Sequence, residues 1–192
     1  MTGVHMLCGA GLSVRRSALA DIQTKGFRSI AVGRQGAGLG AGEDSEMTYS
    51  LRLAGWRMWI DPRLRIKHFL PVRRLNWDYA RRLAYGSAFA TPERDALVYA
   101  CKPPRSGVTH QLRLLRERWF WQTGTALRHV IAAWRGVLKR TAGMGAEGDP
   151  DVLRAEFAIG RLSGLMAMRR TYDARAREIR HVMERMRNQT RG

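Results

Sequence analysis

Acidic residues and cysteines are scarce in this chain of 192 residues. Sixteen Asp and Glu side chains oppose 34 Lys and Arg side chains, which gives a formal net charge of +18. So basic a chain is attracted to polyanions such as nucleic acid, an anionic membrane or a phosphorylated ligand. The two cysteines, Cys8 and Cys101, provide no disulfide framework and no metal-ligand spacing, so we expect a reducing compartment.

Long apolar segments are also lacking. No uncharged apolar run reaches the roughly 18 residues needed to cross a bilayer. The longest candidate, "ALRHVIAAW", contains Arg128 and His129. The first residues show no charged segment followed by an apolar one, as a secretory signal requires. We therefore expect a cytoplasmic protein, either soluble or peripheral at the inner face of a membrane.

The first 90 residues combine strand and helix signals. "HMLC" predicts a short buried strand, and a helix is predicted from Ser17 to Gly26. A glycine-rich loop over residues 33–42 precedes a second predicted helix over 43–54, which Gly55 is placed to end. "WRMWI" and "RLRIKHF" then predict two strands across the Asp61-Pro62 turn. We expect an α/β fold for residues 1–90.

Residues 91–192 predict a basic α-helical extension with a linker near residues 143–151. Trp119, Trp121 and Trp134 are interleaved with arginines at helical spacing. This pattern suits a helix at an anionic membrane interface, and it equally suits a helix packed on a core with a solvated basic face. Gly160 and Gly164 in "GRLSG" lie four residues apart and permit close helix contact.

The acidic cluster "GEDSE" follows the glycine loop directly. Glu43, Asp44 and Glu46 lie where a dinucleotide-binding loop would place phosphates, so their charge argues against that class of site. Acidic residues in a first helical turn are also common for structural reasons, because they complement the helix dipole. The cluster alone therefore predicts the start of a helix.

A longer pattern surrounds the acidic cluster. "GAGLSVRRSAL", "GEDSEMTYSLRLAGWRMWIDPRLRIKHFLPVRRL" and "RRLAYGSAFA" occur in this order between about residue 8 and residue 90. In order and spacing they resemble the C-terminal half of a family-2 glycosyltransferase domain of the GT-A fold. The resemblance implies a partial GT-A-like half-domain over residues 1–90, which would be the acceptor side of such an enzyme.

The resemblance also assigns roles to residues. Asp44 corresponds to the general base that takes a proton from the acceptor hydroxyl, and Glu43 corresponds to an orienting acid beside it. The substrate-binding residues that the resemblance implies on the acceptor side are Gly9, Gly11 and Arg15.

Further residues correspond to the diphosphate side of the site. His68 is implied as a metal ligand in an enzyme that uses Mg²⁺ or Mn²⁺, although a lone histidine is also common in purely structural positions. Arg73 and Arg74 are implied to neutralise the leaving diphosphate, and an exposed basic pair is the alternative.

The pattern departs from the family in one respect. The nucleotide-binding half and its Asp-x-Asp motif are absent, and Asp149-Pro150-Asp151 predicts a turn and helix cap instead. We therefore expect a fragment of an inverting glycosyltransferase that serves surface polysaccharide synthesis and needs the missing half for activity. It would move a sugar from a nucleotide-sugar to a glycan or lipid-linked acceptor. The alternatives are a basic nucleic-acid-binding protein, for which no motif is present, and a membrane-peripheral helical module.

Overall fold

The computed structural model describes residues 7, 9–27, 42–102 and 107–189. Over these ranges the chain forms nine α-helices and one short 3-10 helix at Val72–Arg74. The α-helices are α1 (Arg16–Thr24), α2 (Glu43–Leu53), α3 (Trp77–Phe89), α4 (Thr91–Ala100), α5 (Val108–Arg116), α6 (Trp119–Ala132), α7 (Trp134–Thr141), α8 (Pro150–Ala167) and α9 (Tyr172–Gln189).

The expectation of an α/β, GT-A-like half-domain is wrong, because the described part of the chain is helical and contains no strand. Residues 56–60 and 64–70 were expected to pair as strands. A turn does form between them, where the Leu64 N–H donates to the Asp61 carbonyl at 3.1 Å. Among the residues described, however, no backbone hydrogen bond joins the two segments. The predicted strand "HMLC" lies almost wholly outside the described residues.

The physical reason is the lack of a buried face. Leu64, Ile66 and His68 alternate with basic residues, but both sets of side chains are exposed. Alternation stabilises a strand when one face of it packs against a core or another strand. Here neither face is covered, so the pattern does not produce a sheet.

Local signals at the ends of α1 and α2 are confirmed. α1 ends just before Gly26, which has a φ of 83°. α2 ends just before Gly55, whose φ is 94°, and the Trp56 N–H donates back to the Leu51 carbonyl at 2.9 Å. This bond closes the helix end and needs a residue that adopts a left-handed conformation, as glycine does.

Two groups of buried side chains hold the helices together. The first joins α1, α2, α4 and α9 through Ala18, Ile22, Leu51, Leu53, Ala54, Ala96, Leu97, Ala176 and Ile179. The second joins α6, α8 and the start of α9 through Ala126, Leu165 and Tyr172. Helices on both sides of residue 90 contribute to the first group, while the division into segments 1–90 and 91–192 stays a prediction.

Helices α3 and α8 pack with their backbones in contact. A Cβ added to Gly160 would overlap the Tyr85 carbonyl group, and a Cβ added to Gly164 would overlap that of Phe89. The close contact predicted from "GRLSG" is therefore confirmed, and α3 is its partner. Because the two glycines are one turn apart, they open a groove that admits the neighbouring helix.

Buried carboxylates are paired with arginines. Glu156 on α8 is 4% exposed, and its Oε1 accepts a hydrogen bond from Arg81 Nη2 at 2.8 Å. Arg140 Nε lies 3.0 Å from the same oxygen, as an ion pair without hydrogen-bond geometry. Two further carboxylates are paired similarly: Glu117 with Arg113 and Arg180, and Asp95 with Arg161.

The linker before α8 has the predicted cap. Asp149 is the N-cap residue, and its Oδ1 accepts a hydrogen bond from the Asp151 N–H at 2.8 Å. Pro150 occupies the first helical position, where its missing N–H costs no helix bond. No helix within the described ranges is long and apolar enough to cross a membrane.

Candidate functional site

The Asp44 side chain connects the start of α2 with the N-terminal segment. Its Oδ2 accepts a hydrogen bond from the Gly9 N–H at 3.0 Å, across 35 positions of sequence. Its Oδ1 accepts one from the Ser45 N–H at 2.7 Å. The carboxylate is held by backbone donors from two separate segments and stays partly exposed. It is therefore fixed in position while part of it can reach a ligand.

Gly9 and Gly11 form a tight turn beside this carboxylate. The Leu12 N–H donates to the Gly9 carbonyl at 3.1 Å, and Gly11 has a φ of 79°. A side chain at position 11 would be strained by this conformation, and its Cβ would lie 3.3 Å from Ile66 Cδ1. At Gly9 a Cβ would meet Asp44 Cβ at 3.4 Å, an ordinary contact distance. The backbone conformation thus favours glycine at position 11 but not at 9.

Among the described residues, Asp44 has no ion-pair partner. No Lys or Arg within the described ranges lies within ion-pair distance of Asp44 or of the exposed Glu43. Arg94 of α4 lies across the start of α2 and donates from Nη1 to Ser45 Oγ at 3.1 Å. Ser45 is buried, so Arg94 holds the first turn of α2 from the side while Asp44 faces the Gly9 turn.

A cavity of about 560 Å³ is lined by Leu12, the last residue of the same turn. Arg15, one of the residues predicted for acceptor binding, lines it together with Ser13, Trp56, Arg57 and Trp59. Aromatic faces and guanidinium groups together suit a ligand that presents both apolar and polar or anionic surfaces, as a sugar phosphate does.

Trp56 is held in place by Asp21. The Trp56 indole N–H donates to Asp21 Oδ2 at 2.8 Å, and Lys25 Nζ lies 2.9 Å from the same oxygen. The hydrogen bond from Lys25, followed by that from Trp56, lowers the pKa of the Asp21 carboxyl group. A carboxylate that stays charged therefore fixes one wall of the cavity.

The residues expected on the diphosphate side lie on the segment between α2 and α3. His68 and Arg73 are exposed, and Arg74 lies over the ring of Tyr79 at 6.0 Å from its centroid. No hydrogen bond or ion pair within the described chain connects any of the three to Asp44. Their roles as a metal ligand and as diphosphate-binding residues stay predictions.

Among the described residues, His68 is not grouped with other metal-binding side chains. Over the described part of the chain, no three His, Cys, Asp or Glu side chains are grouped closely enough to hold a metal ion. Mg²⁺ prefers carboxylate, carbonyl and water oxygens in octahedral geometry, which an isolated imidazole does not provide. We assign no step to a metal held by this chain.

The structure adds residues that the sequence did not reveal. Arg94 comes from α4 and reaches Ser45 across 49 positions, and the wall formed by Trp56, Arg57 and Trp59 comes from the segment that follows α2. Of the residues predicted for the site, the structure places Asp44 against the turn that contains Gly9 and Gly11, while Arg15 lies beyond that turn at the start of α1 and lines the cavity. The glycine loop before Gly42 lies outside the described residues.

No protein-family model, no curated protein sequence and no solved structure matches the chain.

Proposed function

We propose that this chain provides the acceptor side of an inverting glycosyltransferase, with Asp44 as the general base. The observation that carries the proposal is the hydrogen bond from Gly9 to Asp44, which joins two segments that the resemblance assigns to one site. Its support is the resemblance together with this contact; the proposal requires no sheet in the described residues.

The reaction needs a carboxylate that is charged, fixed and open to the acceptor. An ionised carboxylate can accept about four hydrogen bonds, and on Asp44 the Gly9 amide, the Ser45 amide and the Ser45 hydroxyl each use one position, the last at 3.4 Å. An acceptor hydroxyl can donate to a remaining position. Asp44 then takes its proton while the oxygen bonds to the anomeric carbon of the nucleotide-sugar. The bond from that carbon to the diphosphate breaks, the nucleoside diphosphate leaves, and the configuration inverts.

The acceptor is proposed to be a glycan or a lipid-linked sugar that enters the cavity beside Arg15. Trp56 and Trp59 would contact apolar faces of the sugar, and the guanidinium groups of Arg15 and Arg57 would bind phosphate oxygens. Leu12 lines this cavity, and its N–H donates to the carbonyl of Gly9, whose own N–H donates to Asp44. The proposal requires the acceptor to extend from the cavity past this turn to the carboxylate.

The nucleotide-binding half is proposed to pack on the apolar segment that follows α2. Large side chains are exposed along this segment: Trp59, Ile60, Leu64, Ile66, Phe69, Val72 and Leu75. A monomeric surface rarely exposes so many apolar side chains in one stretch without a partner. Ile66 of this segment lies beside Gly11, because a Cβ added there would be 3.3 Å from Ile66 Cδ1. A domain that covers the segment would therefore lie close to the turn that donates to Asp44.

The test is to express the chain together with the coding sequence that precedes Met1 in the same frame. We expect the extended protein to release nucleoside diphosphate from a nucleotide-sugar when an acceptor is present. Asp44→Asn should reduce kcat by about 10²-fold or more, since general-base catalysis contributes that much.

The control is Asp78→Asn, because Asp78 also lies in the first turn of a helix and is exposed. This variant should keep full turnover, and both variants should melt like the parent protein. An extended protein that turns over no nucleotide-sugar, or full turnover by Asp44→Asn, contradicts the proposal. Binding to nucleic acid that is unaffected by nucleotide-sugar would favour the alternative, a basic nucleic-acid-binding protein.

A further inference from the structure

Each of the three consecutive helices α5, α6 and α7 exposes a row of large apolar side chains. On α5 these are Val108, Leu112 and Leu115; on α6, Phe120, Leu127 and Ile131; on α7, Trp134 and Leu138. Within each helix the spacing is three, four, seven or eleven residues, which places the members on one face. Gly124 lies on the same face of α6, with open space around it. We call this set of side chains the apolar stripe.

On α6 and α7 the apolar stripe points away from α8. The α6 residues that contact α8 include Ala126, which is 1% exposed, and Trp119, whose indole N–H donates to the Leu165 carbonyl at 2.6 Å. On α7 the contact is made by Gly136, where an added Cβ would overlap the Asp151 carbonyl. The faces of both helices that carry the stripe are therefore free of α8.

Four of the basic residues on the helices of the apolar stripe, Arg113, Arg118, Lys139 and Arg140, are paired with carboxylates, and the charged side chains left without a partner in the described chain are arginines. Residues 107–142 contain a single acidic residue, Glu117, which is buried and bound to Arg113 and Arg180. The same range contains seven basic residues: Arg113, Arg116, Arg118, Arg128, Arg135, Lys139 and Arg140. Three of these arginines have no carboxylate of the described chain within ion-pair distance: Arg116, Arg128 and Arg135. The surface next to the stripe is thus cationic.

A cavity of about 470 Å³ opens at the α5 end of this surface. Arg116, Lys102 and Trp121 line it, together with Leu112 of the apolar stripe. Lys102 Nζ lies over the Tyr99 ring at 4.7 Å from its centroid. The cavity therefore combines cations with aromatic and aliphatic side chains, as the junction between lipid headgroups and acyl chains requires.

We propose that α5, α6 and α7 dock on the surface of an anionic lipid bilayer. The apolar stripe enters the boundary between headgroups and acyl chains, and the arginines beside it bind headgroup phosphates. A second copy of the chain fits less well, because two such faces would bring like charges together without carboxylates to pair them. Nucleic acid fits less well because aliphatic side chains at the centre of the face have no role in phosphate binding. This inference does not depend on glycosyl transfer.

The experiment is flotation of the full chain with vesicles. Equal parts of phosphatidylcholine and phosphatidylglycerol form the anionic vesicle, and phosphatidylcholine alone forms the neutral one. We expect binding to the anionic vesicle that is at least about tenfold stronger and that weakens with salt. The double variant Phe120→Gln/Leu127→Gln should weaken the binding to anionic vesicles by about tenfold or more.

Control variants show whether vesicle binding depends on the apolar stripe or on exposed apolar and basic side chains in general. Phe157→Gln/Met166→Gln removes two large exposed apolar side chains from α8, outside the apolar stripe, and it should leave vesicle binding unchanged. Arg128→Gln/Arg135→Gln should weaken the binding by about 30-fold, at roughly 1 kcal/mol per cation. The charge control, Arg65→Gln/Arg170→Gln, changes two other exposed arginines and should weaken it much less.

Four results would overturn the proposal. They are equal binding to both vesicles, equal loss in the apolar variant and its control, equal loss in the two arginine pairs, and a lipid-free dimer that Phe120→Gln/Leu127→Gln dissociates. Thermal melting of each variant shows whether it remains folded. Turnover of nucleotide-sugar by the extended protein is scored separately, so the failure of one proposal leaves the other testable.

Discussion

Replacing Gly160 by Ala should force helices α3 and α8 apart. The new Cβ would lie 3.0 Å from Tyr85 Cα and closer still to the Tyr85 carbonyl oxygen. Both helix backbones would have to move, because no flexible side chain is available to turn aside. Overpacking of this kind costs about 1–3 kcal/mol, and contact with backbone favours the upper end. The intrinsic preference of a helix for Ala over Gly offsets about 1 kcal/mol of that cost.

Gly124→Ala is the matched control, because Gly124 also lies inside a helix but has open space where a Cβ would be placed. It should gain about 0.5–1 kcal/mol from helix preference alone. The helix preference for Ala cancels when the free energy of unfolding of Gly160→Ala is subtracted from that of Gly124→Ala. The remaining difference, about 3 kcal/mol, is the cost of overpacking at the contact between the two helices. In thermal melting this corresponds to roughly 6–12 °C for a chain of this length. Equal melting temperatures for the two variants would refute the backbone contact between α3 and α8.

Two other predictions concern charged groups. Glu156→Ala should lower the free energy of unfolding by about 1.5–3 kcal/mol in urea titration, because it removes the carboxylate partner of two half-buried arginines, while the exposed Glu147→Ala should have little effect. The hydrogen bond from Lys139 lowers the pKa of Asp149, so its stabilisation is present above the ordinary Asp value of 3.8 and is lost as the pH falls through the lowered value. In melting curves below that pH, Asp149→Asn should lose less stability on acidification than the parent protein, and an identical acid dependence would contradict this.

Helix ends could be predicted from the sequence because their signals are local. Gly26 and Gly55 provide the left-handed conformation that a helix end needs, and Asp149 provides a side-chain acceptor within two residues. Each of these signals operates over one turn of chain. For that reason it holds whatever the rest of the fold does.

The expected strands failed because burial is not local. The alternation of Leu64 and Ile66 with basic residues shows that one face would be apolar, but it does not provide the element that covers that face. Similarly, the small residues Gly160 and Gly164 indicated a close contact, whereas its partner, the backbone of α3, could be identified only from the structure.

The candidate site was predictable only in part, for the same reason. The order of motifs grouped Gly9 with Asp44, and the structure places them in hydrogen-bond contact. Arg94 carries no local signal, because it lies in an ordinary helix and reaches Ser45 across 49 positions. The cavity wall formed by Trp56 and Trp59 likewise depends on how the segment after α2 passes the Gly9 turn.

The most direct test of the proposed function is the rate of a single turnover of sugar transfer by the extended protein, which includes the nucleotide-binding half. The reaction is started by adding a saturating concentration of acceptor to enzyme that is already mixed with donor. The rate is measured for the parent, Asp44→Asn and Asp78→Asn. If Asp44 removes the acceptor proton, its variant is slower by about 10²-fold or more, Asp78→Asn matches the parent, and the product has the inverted anomeric configuration. A product of retained configuration, or an Asp44→Asn rate equal to that of the parent, would show that this carboxylate is not the base.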